Sequence, residues 1–271
     1  MISVLSDMMS YTFIVRAMIV GGLVALCSAL LGVSLVLKRY SMIGDGLSHV
    51  AFAALTIAVA MNVAPLYIST PIVTVAAIIL LRLSENSKIK GDSAIALIST
   101  VSIAIGVVVT ALTKGMNTDV YSYMFGSILA MSESDVYMSI ALSVVVIILF
   151  VFFYNKIFAV TFDESFAKAT GTKADAYNMI IAVLTAITIV VGMRIMGTML
   201  ISSLIIFPAL ISMRNFKTFK SVIICSAIVS VVCFFLGIVL SYLYSIPTGA
   251  SIVLVNTVAL ILSYLIGELR N

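Results

Sequence analysis

From Ser221 to Ser245 the chain reads SVIICSAIVSVVCFFLGIVLSYLYS, a run without one charged side chain. A helix that is apolar round its whole circumference must be surrounded by other apolar groups, and about 20 such residues match the roughly 30 Å hydrocarbon layer of a bilayer. Comparable tracts recur along the whole sequence, at approximately 12–38, 42–62, 65–83, 94–114, 135–156, 176–194, 197–213, 219–243 and 247–267. They predict an all-α polytopic membrane protein of about nine transmembrane helices. Only the thin hairpin GMRIMGT divides the pair at 176–194 and 197–213. The piece DVYSYMFGSILAM at 119–131 is too short to cross and predicts a re-entrant or interfacial helix. A composition that is 63% hydrophobic and 10% charged agrees with lipid as the main solvent.

The charges orient the chain. With residue 1 outside and the side alternating at each span, Lys38, Arg39, Arg82, Lys88, Lys90, Lys156, Lys168, Lys173, Arg214, Lys217, Lys220 and Arg270 fall in the cytoplasm. Only Arg16, Lys114 and Arg194 remain near the other face. That bias follows the positive-inside rule and predicts a cytoplasmic C-terminus. No loop has room for a second soluble domain, so residues 1–271 read as a single transmembrane domain. The N-terminus, MISVLSDMMSYTF, lacks the basic start and small-residue cleavage site of a removable signal. Cys27, Cys225 and Cys233 lie in apolar tracts without CxxC spacing and read as small buried hydrophobes. Nothing points to nucleic acid, and no GxxxxGK[ST] phosphate loop is present, so any ATP-driven work is powered by another polypeptide.

Few polar residues interrupt the apolar tracts. In IGDGLSHVAFAAL (43–55), Asp45 and the single histidine of the chain, His49, stand at i and i+4. On one helical face they can reach the same ion. Alternatively, Asp45 favours the first turn of the second span through the helix dipole and His49 bonds to a neighbouring helix. The spacing leaves both readings open. Thr198, Ser202, Ser203 and Asn256 either lend oxygens to a path or bond between helices. Pro71 and Pro208 predict kinks, Arg194 a side chain snorkelling to the outer interface, and Asp119, Glu133 and Asp135 an acidic outer rim. Segment 161–179, TFDESFAKATGTKADAYNM, predicts a short cytoplasmic helix opened by Asp163 and Glu164 before a turn at Gly171, either an amphipathic helix seeking a partner surface or a solvated connector.

LKRYSMIGDGLSHVAFAAL (37–55), MFGSILAMSESDV (124–136), FDESFAKATG (162–171), GTMLISSLIIFPALISMR (197–214) and IPTGASIVLV (246–255) resemble, in order, patterned segments of the permeases of zinc and manganese ABC importers. The first is the most specific, combining a basic pair, GD and SH. The resemblance implies a fold related to the vitamin B12 and siderophore importers, and a location in the plasma (inner) membrane of a prokaryote. It implies a homodimer, a separate ATP-binding subunit, and an extracytoplasmic metal-binding protein that delivers Zn2+ or Mn2+ as substrate. It also implies that Asp45 and His49 contact the metal, while Thr198, Ser202, Ser203 and Asn256 stay weaker candidates on their own polarity. Asp163, Glu164, Ala167 and Gly171 would belong to the loop that docks into the ATPase.

The expected function is the permease of an ATP-driven divalent metal importer, zinc ahead of manganese, with no enzyme activity and no permanent cofactor of its own. The lean to zinc rests on the look of residues 197–214. An ion-coupled secondary metal transporter is the alternative, though it calls for more intramembrane carboxylates than Asp45. An intramembrane metalloprotease needs more ligands than one histidine and an HExxH motif that the chain lacks.

Overall fold

A computed structural model describes residues 10–86, 91–113, 126, 133–198 and 201–269. Every regular element among them is a helix: α1 (Thr12–Leu37), α2 (Ser41–Ala60), α3 (Pro65–Asn86), α4 (Gly91–Leu112), α5 (Glu133–Phe152), α6 (Tyr154–Phe162), α7 (Glu164–Ala169), α8 (Ala174–Met196), α9 (Ile201–Asn215), α10 (Phe219–Tyr244) and α11 (Thr248–Leu269). The piece at 119–131 lies, apart from Gly126, outside the described residues.

Among the described residues, eight of the expected spans are helices long and apolar enough to cross a bilayer: α1 to α5, α8, α10 and α11. The remaining tract, expected at 197–213, forms α9, which has 15 residues and rises only about 22 Å. Gly197, at φ +83, ends α8 in a conformation that a side chain resists, and the helix restarts at Ile201. A short helix is tolerated here because α9 packs against α1, α2, α10 and α11 rather than lipid. Pro71 and Pro208 sit inside α3 and α9.

The centre of the bundle is α1, α2 and α8, where 72%, 72% and 67% of the spanning window is buried, against 17% for α4. Small residues bring these backbones together. A Cβ on Gly32 of α1 would lie 2.1 Å from the Ile205 carbonyl oxygen of α9. On the next side of α1, Ser230 of α10 donates to the Ala25 carbonyl at 2.8 Å. Lipid tails are as apolar as leucine, so this close fit and these interhelical bonds hold the helices together.

Charges gather at the two ends. At one end Lys38 meets Glu164 of α7, and aromatic rings of α6 stack on Phe219 at the start of α10. At the other, Arg16 pairs with Glu133, and Arg194 Nη2 lies 2.7 Å from Asp135 Oδ2 with both side chains about nineteen-twentieths buried, 4% and 5% exposed. The structure therefore corrects two expectations: Arg194 does not snorkel to the interface, and the described acids of the outer rim are neutralised by arginines. An unpaired guanidinium at that depth is far costlier than an ion pair that joins α8 to α5.

Asp135→Ala strands Arg194 and is expected to destabilise the chain by about 3–5 kcal/mol. Thermal unfolding in detergent checks it, with most of the loss regained in the double variant Asp135→Leu/Arg194→Met. Equal unfolding of Asp135→Ala and wild type would show that the pair contributes nothing.

Candidate metal centre and coupling loop

Helix α2 begins at Ser41, and its first turn holds no acidic residue. Asp45 therefore stands in the second turn, which removes the reading of it as a first-turn partner of the helix dipole. His49 Nε2 lies 3.6 Å from Asp45 Oδ2, too far for a hydrogen bond. Two ligands held by one tetrahedral zinc, at bonds of about 2.0–2.2 Å, lie about 3.3–3.5 Å apart. The gap is thus close to what a shared ion requires.

The second carboxylate oxygen, Oδ1, accepts a hydrogen bond from Ser202 of α9 at 3.3 Å. Gly44 and Gly46 flank Asp45 and explain how the neighbours approach. A Cβ at Gly44 would lie 3.4 Å from Ile205 of α9, and one at Gly46 would lie 2.8 Å from Ile95 of α4. The side chains of His49 and Asp45 remain 15% and 38% exposed in the single chain, so the pair opens on its surface. No group of three or more His, Cys, Asp or Glu side chains able to hold a metal occurs among the described residues. This chain alone offers one imidazole, one carboxylate and a hydroxyl.

Of the weaker candidates, the structure brings only Ser202 into hydrogen-bond contact with the pair. Thr198 is buried beside the Gly197 turn, and Ser203 is half-buried and already engaged. Asn256 is fully buried in α11, where its Nδ2 donates back to the Ile252 carbonyl at 2.9 Å and its Oδ1 has no partner among the described residues. Its helix packs against α8, α9 and α10.

The loop at 161–176 is ordered by its own chemistry. Asp163 caps α7 by accepting from the Phe166 N–H at 2.8 Å, the expected stabilisation of a short helix. Glu164 turns inward: its Oε2 accepts from Lys38 Nζ at 3.1 Å and from Asn178 Nδ2 at 3.0 Å, while Oε1 faces Lys168 at 3.0 Å. Ala167 packs on Val160 and Ala174 in a small cluster of its own. Gly171 reverses the chain at φ +82, and Phe166 is left 65% exposed. Lys38 and Asn178 were not singled out as site residues by the sequence, since nothing in the local pattern links positions more than a hundred residues apart.

The profile described as the ABC 3 transport family matches residues 10–267. The chain belongs to the ABC 3 transport family. The relatives named below are transport membrane proteins rather than enzymes. Within that family, the chain is 28% identical over 249 residues to the high-affinity zinc uptake system membrane protein ZnuB of Haemophilus influenzae, covering 91% of this chain and 95% of that one. It is 26% identical over 256 residues to the manganese import system permease protein ScaB of Streptococcus gordonii, covering 94% and 92%. Among solved structures, PsaBC from Streptococcus pneumoniae in complex with Fab superimposes with a TM-score of 0.88 at 26% identity, covering 97% of this chain and 95% of its match.

Burial alone would raise the carboxyl group of Glu164, but hydrogen bonds from Asn178, Lys168 and Lys38 outweigh it and hold the group at about 2, below its ordinary 4.5. Asp175 and Glu164 conversely raise Lys168 above its ordinary 10.5. A depressed acid stabilises the folded loop fully above its ordinary value and loses that effect as pH falls through the folded one. The loop should thus stay pinned at neutral pH and loosen between 4.5 and about 2. Because the chain has no tryptophan, fluorescence of a Phe166→Trp variant can follow this transition, and adding Lys38→Met should raise its midpoint. A midpoint unmoved by Lys38→Met would remove Lys38 from the network.

Proposed function

We propose that this chain is the translocating subunit of an ATP-driven importer of divalent zinc and manganese, with Asp45 and His49 as ligands in its path. The observation that carries this reading is the 3.6 Å approach of His49 Nε2 to Asp45 Oδ2, braced from behind by Ser202. Relatives named for zinc uptake and manganese import support the substrate class. A nitrogen beside a carboxylate discriminates against magnesium and calcium, which prefer all-oxygen sites. At a mixed site the intrinsic affinity for zinc exceeds that for manganese, and zinc stands first on that ground.

The depth fits a path. Ser202 lies twelve residues from Arg214 along α9, a rise of about 18 Å. Along α2 itself, Asp45 stands four residues past Ser41, a rise of about 6 Å, so the pair lies in the inner half of a roughly 30 Å core. A lone carboxylate within the core costs up to about 2.5–3.5 kcal/mol on insertion scales, the value at the helix centre, which fits a functional group with a cation to meet. The missing ligands come from water and from a second copy of the chain, on which the half-open pair faces. An incomplete site suits release as much as binding.

Energy comes from a separate ATP-binding subunit docked on exposed Phe166, with Asp163, Ala167 and Gly171 shaping the loop that meets it. An extracytoplasmic metal-binding protein delivers the ion at the opposite end. The N-terminus lies outside and the C-terminus in the cytoplasm of a prokaryotic inner membrane, as the basic end of the bundle requires. Membership of an ABC family favours this reading over an ion-coupled carrier.

Uptake of labelled zinc and manganese into vesicles holding the full assembly tests the proposal. His49→Ala and Asp45→Ala should abolish uptake at matched abundance. Ser202→Ala, which frees the carboxylate, should lower it by about tenfold. Calcium and magnesium in excess should not compete. Normal uptake by both the His49 and Asp45 variants would make them packing residues and send the path elsewhere.

A further inference from the structure

Lys38 is the residue that closes α1, and its side chain is only 7% exposed. Its ammonium donates to Asn178 Oδ1 of α8 at 2.6 Å and to Glu164 Oε2 of α7 at 3.1 Å. Asn178 Nδ2 donates to the same Glu164 oxygen at 3.0 Å. The three side chains close a triangle that ties the coupling helix to two spans at once. Pairing a buried ammonium with a partly exposed carboxylate in this way gives little stability over an apolar contact of the same shape. Its advantage is direction: the paired charges resist being pulled apart and fix one orientation of α7 against α1.

What lies just beyond Lys38 makes that orientation consequential. Arg39 takes a left-handed φ of 61, and Tyr40 N–H bonds back to the Leu35 carbonyl at 2.8 Å, a tight helix-ending turn without slack. Helix α2 starts at the next residue, Ser41. Lys38 and Asp45 are seven residues apart, joined by this turn and the first turn of α2. Beside the triangle, a polar crevice of about 490 Å³ lined by Tyr40, Arg82, Lys168 and Asp175 separates α7 from the end of α3. The coupling helix is thus bound by charge to α1 and α8, while on its α3 side a polar crevice replaces close packing.

From this arrangement we infer that Lys38, Glu164 and Asn178 form the joint that passes movement of the coupling helix to α2, making Lys38 a positioning residue for Asp45 and His49 during transport. The inference rests on the functional reading above. It assigns Glu164 a role inside this chain: its carboxylate holds Lys38, while the exposed face of α7 around Phe166 is left for the ATPase.

The test compares ATP hydrolysis and metal uptake by the reconstituted full assembly. Lys38→Met keeps the length and apolar stem of the side chain but removes its charge. It is expected to co-purify with the ATP-binding subunit and to hydrolyse ATP, yet to move about tenfold less zinc or manganese per ATP. Lys38→Arg should keep most of the coupling, and the exchange Lys38→Glu/Glu164→Lys should recover part of it, since the Asn178 amide can turn to serve either charge. If Lys38→Met fails to accumulate, Glu164→Gln, nearly the same shape without the charge, reads the same ratio. An unchanged ratio, or hydrolysis and uptake falling in parallel, would overturn the joint. A wild-type assembly that hydrolyses ATP without moving either metal would instead overturn the proposed function.

Discussion

A bilayer offers no water to backbone N–H and C=O groups, and the architecture of this protein follows from that constraint. Each spanning tract is helical because only a helix satisfies its own backbone in hydrocarbon. Once every element is a helix, hydrophobic burial no longer distinguishes one neighbour from another, and close approach takes over. The contact of Gly32 with the Ile205 carbonyl is the clearest case. It draws α9 against α1, and with α9 in place Ser202 reaches Asp45. A packing detail of a few ångströms thereby decides which hydroxyl braces the candidate metal ligand.

Charge is handled by segregation. Near the ends of the bundle, cations are matched with acids: Arg16 with Glu133, Arg194 with Asp135, Lys38 and Lys168 with Glu164. Between these layers, Asp45 and His49 face each other without a hydrogen bond, at a separation suited to a shared ion. The contrast gives the pair its meaning. Unlike Arg194, which is 4% exposed, Asp45 keeps 38% of its side chain exposed in the single chain, so a further partner can reach it.

Much of this was legible in the chain. The spans could be read because hydrocarbon thickness translates directly into residue counts. The Asp45 and His49 approach could be anticipated because it depends only on helical spacing within one element. Asp163 as a helix-opening residue follows from equally local chemistry. The misreadings share one cause, which is distance along the chain. Arg194 looked like a snorkelling residue because Asp135 is 59 positions away, and the bonds from Lys38 to Glu164 could not be foreseen because Glu164 is 126 away. The tract at 197–213 does form a helix, and what the sequence did not reveal is its shortness and its packing against α1, α2, α10 and α11.

By itself, the sequence determined the solvent of this protein, the type of its elements and the i, i+4 pairing of its one histidine with an aspartate. All of these are set by local composition and helical periodicity. Only the tertiary structure decided that α1, α2 and α8 form the centre, that Ser202 rather than Asn256 stands behind Asp45, and that Glu164 turns inward to Lys38. These choices depend on which helical faces meet, and in a chain apolar on every face the meeting is chosen by small residues and buried charges far apart in sequence.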